Sequence, residues 1–239
     1  MGLLSAQLLR TGIAFRRNDA RGGARIRFIE SYGETSQERT LGETKVYSRF
    51  DSWQPHFIQE IHMLYFSADA HLGHTNIIKY CSRPFAHADE MGRTIVDNIN
   101  TMVQPDDTYW HLGDLAWKTK DLEWFLKQVN CNHINWLLGN HDVHLTKKNL
   151  SEIPKTTIYT GYVDLRIDGQ AVTLCHFPMR SWQAKSHGAW HLYGHVHGRI
   201  LDPDPFSMDV GVDTNEFKPW AWEQIKEHMV NVSVNIDKK

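Results

Sequence analysis

Ile134-Asn135-Trp136-Leu137-Leu138-Gly139-Asn140-His141-Asp142 is an apolar run that halts at a glycine and then presents three side chains able to bind a metal or move a proton. Working outward, four other runs end on the same plan. Leu64 to Ala68 precede Asp69, and Tyr109 to Gly113 precede Asp114. Ala171 to Cys175 precede His176, and Trp190 to Gly194 precede His195, with His197 two positions further on. Short runs of aromatic and branched residues bounded by turn chemistry read as strands buried on both faces. Ligands at the ends of such strands converge on one edge of a sheet, where loops carry chemistry. The five strand ends therefore predict one active site.

Between the first three runs the apolar spacing turns helical. Thr75 is expected to cap a short helix through Ile77, Ile78 and Tyr80, which Arg83-Pro84 ends. Met91, Ile95, Ile99 and Met102 recur at helical spacing, as do Leu122, Phe125, Leu126 and Val129 after the expected cap Asp121. Alternating strands and helices predict crossover units and a largely parallel inner sheet. Beyond Pro154, Tyr162 to Ile167, the turn Asp168-Gly169 and Gln170 to Cys175 read as a hairpin in a second sheet. Ser207 to Val212 reads as a further strand, Pro219 is expected to open a helix carrying Trp222, Ile225 and Met229, and Val232, Val234 and Ile236 alternate as a last strand.

Composition bounds the function. The 239 residues suit one catalytic domain, placed at 63–239. Lys and Arg number 26 against 28 Asp and Glu, a net charge of −2 that gives no broad basic field and speaks against extensive nucleic-acid binding. Three cysteines without CxxC spacing favour a reducing compartment and a cytoplasmic protein, and no run approaches the roughly 20 apolar residues that cross a bilayer. Residues 1–60 differ: six arginines lie between Arg10 and Arg27 against the single acid Asp19. They read as a disordered or poorly packed extension without chemistry, a transit peptide or nucleic-acid arm being the alternatives.

The motifs Asp69-Ala70-His71, Gly113-Asp114, Gly139-Asn140-His141-Asp142, His176 and Gly194-His195-Val196-His197, taken together and in order, resemble the calcineurin-like metallophosphoesterase superfamily. Gly73 to Ile78 and His176 to Trp182 resemble its compact bacterial and phage-type branch. The resemblance implies an α/β fold, a four-layer α/β/β/α sandwich with a dimetal site at the strand C-terminal ends. It implies Asp69, His71 and His197 on a first divalent ion, Asn140, His176 and His195 on a second, and Asp114 bridging them. Carboxylate and imidazole donors without thiolates suit manganese, iron, zinc and nickel alike, so the ligand types do not name the metal; manganese is the expected one. Two ions about 3.5–4 Å apart supply a metal-bound hydroxide and neutralise phosphoryl oxygens. His141 is expected as general acid, with Asp142 orienting it. The implied substrate is a small phosphate ester, a nucleotide among the candidates, with a diester favoured over a monoester. A nuclease and a non-catalytic metal-binding scaffold are the remaining alternatives.

Other polar residues carry weaker signals. Arg180 and His74 are expected to contact substrate, Arg180 because a guanidinium pairs bidentately with phosphate. Arg83 and Asn98 are weaker candidates for the same role. His56, His62, His87, His111, His133, His144, His187, His191 and His228 read as exposed or hydrogen-bonded, and Trp110, Trp136, Trp190 and Trp222 as core. No Walker pattern occurs. The loops at 76–90, 143–160 and 180–189 are where specificity is expected.

Overall fold

Each half of the motif set stands on its own sheet. A computed structural model describes residues 62–142, 153–201 and 203–236; the expected extension at 1–60, and with it His56 and His144, lies outside them. Strands β1 (Leu64–Ser67), β2 (Thr108–His111), β3 (His133–Leu137) and β4 (Thr156–Tyr159) pair side by side in parallel. Helices α1 (Thr75–Tyr80), α2 (Ala88–Met102) and α3 (Thr119–Gln128) make the crossovers. Strands β5 (Tyr162–Ile167), β6 (Gln170–Cys175), β7 (Trp190–Tyr193) and β8 (Ser207–Asp209) form the second sheet, antiparallel at β5–β6 and parallel from β6 to β8. The two-residue strand β9 (Trp220–Ala221) then returns antiparallel to β1, and α4 (Trp222–Ile236) follows.

Two clusters of buried side chains explain why the sheets hold. Tyr65, Tyr109, Ile134 and Trp136 point from the first sheet toward Met91, Ile95 and Ile99 of α2 and Leu122 and Phe125 of α3. Phe66, Trp110, Leu112 and Leu137 form the second cluster with Val172, Leu174, Trp190 and Leu192 of the other sheet. The period-2 alternation of each inner strand thus feeds two cores, and each fully buried aliphatic or aromatic side chain contributes about 1.5–3 kcal/mol. The fold is the expected α/β one, two sheets flanked by helices, and the four tryptophans expected in the core are all buried. Trp222, Ile225 and Met229 of α4 pack into the inter-sheet cluster.

Register decides where the ligands go. Ser67, His111 and Trp136 lie side by side across β1, β2 and β3, so the strands end level. The loops beyond are stitched together by Asp69 N–H to Gly113 O at 2.9 Å and His71 N–H to Asp114 O at 2.9 Å. In the second sheet Gly194 N–H donates to His176 O at 3.0 Å, and Val212 N–H donates across to Ala68 O at 3.0 Å, tying both sheets at this one end.

Several local expectations change. Thr75 is the first residue of α1, behind His74 at the cap position, and α3 begins at Thr119 behind Lys118, so Asp121 sits in the first turn; neither cap position makes a side-chain hydrogen bond. Pro219 precedes β9, and the helix opens three residues later at Trp222. Val232, Val234 and Ile236 belong to α4 and not to a strand. No glycine or proline interrupts Trp222–Ile236, so nothing in that segment stops the helix once it has started. Replacing Leu174, which is fully buried between the sheets, by alanine is expected to cost about 2–5 kcal/mol in urea unfolding. Val230→Ala on the half-exposed face of α4 should cost less than about 0.5 kcal/mol, and equal costs would refute the two-sheet core.

Candidate metal centre

The ligand loops owe their shape to an unusual backbone. Asp69, His71, Asp114, His195 and His197 have φ of 60, 49, 57, 72 and 53°, all in the left-handed region. Such conformations cost on the order of 1–3 kcal/mol each, and Asp and His tolerate them better than most residues. The glycines beside them allow the close approach. A Cβ on Gly113 would stand 2.5 Å from His176 Nδ1 and 2.7 Å from Gly139 Cα, and one on Gly139 would stand 2.6 Å from Asp114 N. These glycines are the reason that three loops can share one small volume.

Two groups of donors result. Asp69, His71 and His197 each offer an atom within 4.8 Å of the others, and so do Asp114, His176 and His195. Asp114 lies between them, its Oδ2 3.6 Å from His71 Nε2 and 3.4 Å from His176 Nε2. Asn140 Oδ1 is 3.1 Å from the same His176 nitrogen. Each carboxylate has one oxygen fixed by backbone: Asp69 Oδ2 accepts from His195 N–H at 2.7 Å, and Asp114 Oδ1 from His141 N–H at 2.9 Å. The opposite oxygen of Asp69, Oδ1, and His71 Nε2 are buried with no hydrogen-bond partner. Orphaned atoms of this kind cost about 1–3 kcal/mol unless something binds them, and a divalent cation fits both.

The histidine tautomers suit that role. His176 Nδ1–H donates to Leu112 O at 2.8 Å and His197 Nδ1–H to Asp213 Oδ2 at 2.7 Å, so Nε2 is the atom through which either ring, once deprotonated there, could hold a cation. Burial holds His71 neutral, with its pKa down at about 2. Burial likewise raises Asp69 to about 7, against the pull of His197 and His176. Asp114 is pushed up by burial, yet its hydrogen bond to His176 and the charges of His176 and His71 hold it below the usual carboxylate range. Burial acts to lower His176, but its hydrogen bond to Asp114 and that residue's charge outweigh burial and raise it.

A second layer went unread in the sequence. Arg83, whose side chain is fully buried, grips both oxygens of Asp213 at 2.8 and 2.7 Å, and donates to Asp69 O at 2.7 Å and Ala70 O at 3.2 Å. Asp213 in turn fixes His197, so Arg83 braces the ligand loop of β1 and the histidine of another loop together. It contacts no substrate from that position. The signal for Asp213 was present: it follows the apolar run Ser207 to Val212 as the other ligands follow theirs.

Other expectations need correction. Asp142 does not orient His141. It is fully buried, and its carboxylate accepts from the N–H groups of Asp114, Leu115 and Gly139 at 2.6, 3.0 and 2.9 Å and from Trp136 Nε1 at 3.3 Å. It is a clamp between the loops after β2 and β3. Asn98 donates to Phe217 O at 3.0 Å and is structural. Arg180 is exposed and lines a neighbouring cavity with Met179 and Lys185. His74 does line the cavity above the donor groups, along with His141. His191 is hydrogen-bonded as expected, but His111 is fully buried with neither ring nitrogen paired, and burial holds it neutral at a pKa of about 3.

These motifs, in this order, converge on one edge between two sheets, the arrangement that the resemblance to the calcineurin-like metallophosphoesterase superfamily implies. No protein-family model matches the sequence. The chain is similar to the uncharacterized protein MJ1445 of Methanocaldococcus jannaschii, 34% identical over 171 residues, which is 68% of this chain and 88% of that relative. It shares its fold with the protein of unknown function AQ665 from Aquifex aeolicus at a TM-score of 0.58, 24% identical, covering 70% of this chain and 98% of that one. An archaeal phosphodiesterase aligns at a TM-score of 0.37 and 19% identity, over 62% of this chain and 81% of its own.

Two outcomes are expected. Asp213→Asn and Arg83→Gln should each weaken manganese binding by about 10–100-fold in calorimetric titration, with the circular dichroism of the fold retained; unchanged affinity would refute the bracing role. Because a proton competes with the cation for Asp69 below about pH 7, manganese affinity should fall as pH drops through that value. A pH-independent affinity would show that Asp69 is not a ligand.

Proposed function

We propose that this chain is a phosphoesterase with a dinuclear metal centre, acting on a phosphodiester in preference to a monoester. The observation that carries the reading is the Asp114 carboxylate, whose Oδ2 lies within 3.6 Å of Nε2 atoms from both donor groups. Asp69, His71 and His197 would hold one divalent ion, Asn140, His176 and His195 the other, and Asp114 both. Two cations so close repel strongly unless an anion stands between them. Bound there, manganese, or iron, zinc or nickel in its place, supplies acidity to a water molecule and positive charge for the phosphoryl oxygens.

The chain's own groups do the rest. The His141 side chain is 41% exposed, faces the same cavity and has its Nε2 4.0 Å from Asp114 Oδ2. Its backbone is fixed on Asp114, and its ring meets Trp117 at 5.4 Å, so the imidazole can deliver a proton to a leaving oxygen from a set position. Asp142 serves by holding the loop that carries it. Arg180, outside this cavity, would reach only parts of a substrate that extend past the metals. The diester preference rests on the Gly-Asn-His-Asp motif and its likeness to diesterase branches. Among the described residues no helix is long and apolar enough to cross a membrane, and the three cysteines are free, in keeping with a cytoplasmic enzyme.

The manganese-loaded chain should hydrolyse bis(p-nitrophenyl) phosphate faster than p-nitrophenyl phosphate. A monoester preference would refute the diester assignment, and no turnover with two ions bound would refute the activity. Asp114→Ala should lose both ions and all hydrolysis. His141→Ala should keep the ions and lose about 10²–10⁴-fold on alkyl leaving groups, with far less loss on p-nitrophenolate.

A further inference from the structure

Three rings stand beside the donor groups without being needed to hold an ion. The cavity is about 350 Å³, floored by His71, Asp114, His195 and His197. Its walls are Asn76, Ile77, Tyr80 and Trp117, with His74 and His141 between wall and floor. His74 and Trp117 lie face to face, ring centres 3.9 Å apart and planes within 4°. Tyr80 meets His74 at 6.4 Å with its plane turned 73°, so the rings form a corner. A planar group placed there lies flat on one wall and meets the other edge-on, the two arrangements that aromatic rings prefer.

We propose that this corner binds the base of a nucleotide, so that the ester placed over the metals is that of a nucleoside. This rests on the phosphoesterase reading and adds the substrate class to it. Tyr80 supports the assignment most directly. It ends α1, which is anchored by buried Ile77 and Ile78, and its carbonyl is held by Arg199, yet its side chain stays 65% exposed at the cavity mouth. A tyrosine kept for packing would be covered, whereas the backbone of this one is anchored and its ring is left open to the cavity. The wall residues are apolar, aromatic or amide, and Asn76 carries both a donor and an acceptor for a base edge. The volume sits at the low end of the roughly 300–1,000 Å³ typical of small-ligand sites, which suits one nucleotide.

The experiment compares binding of adenosine 5′-monophosphate and ribose 5-phosphate to the manganese-loaded chain by calorimetry. The two ligands share phosphate and sugar and differ by the base. Stacking contributes about 1–3 kcal/mol per base, so the nucleotide should bind at least about fivefold more tightly. In Tyr80→Ala, at an exposed position that folding does not need, the preference should fall below about twofold, and Tyr80→Phe should restore it. Equal binding of the two ligands by the wild-type chain, or an undiminished preference in Tyr80→Ala, overturns the subsite while leaving the phosphoesterase intact. No binding of either ligand, together with no hydrolysis of bis(p-nitrophenyl) phosphate, overturns both.

Discussion

Two buried carboxylates set among the same cluster of imidazoles are the constraint around which this molecule is arranged. Asp69 and Asp114 stand at the ends of neighbouring strands among imidazoles, of which burial holds His71 neutral while the hydrogen bond to Asp114 raises His176. A protein does not gather such groups away from water for the sake of stability, because desolvation exceeds what histidines return. The cost is met by many backbone donors and, in the proposed enzyme, by divalent cations. Strand register, left-handed loops and close-packed glycines all follow from the need to bring these side chains from distant stretches of sequence to one place.

That need also explains the layering behind the ligands. Asp142 accepts four hydrogen bonds and welds the loops after β2 and β3, while Arg83 and Asp213 weld the β1 loop to His197. Arg83 and Asp213 are paired with each other and Asp142 is satisfied by four neutral donors, which are the conditions under which burying such groups is tolerable. The ligand geometry is thus inherited from groups that never touch the reacting atoms. Fixing a metal site to about half an ångström takes supporting groups as well as the ligands themselves.

What could be read from the sequence, and what could not, divides along the same line. The strands were legible because their runs are apolar and end abruptly, and the two donor groups because each run is followed by a side chain of that kind. The crossover helices were legible from their apolar spacing, but their first residues were not: Thr75 and Asp121 have cap chemistry, and tertiary packing set the helix starts elsewhere. The alternation Val232, Val234, Ile236 satisfied the strand pattern, and an uninterrupted helix overrode it. Asp142 was misassigned because adjacency in sequence says nothing about direction. At a tight turn His141 faces the cavity while Asp142 faces the interior. Arg83 looked like a free guanidinium because nothing local announces a partner 130 positions away.

The left-handed backbone at five of the ligands limits how this centre can change. Glutamate or a cysteine thiolate would serve a divalent cation chemically, yet the φ values at these positions select for the short polar side chains of aspartate, asparagine and histidine. At these five positions the residue would therefore be set twice, once by the proposed ion and once by the loop. A descendant of this chain that needed softer or longer donors would have to reshape three loops together. Adaptation to new substrates is left to the walls of the cavity, where the backbone is ordinary and side chains can be exchanged one at a time.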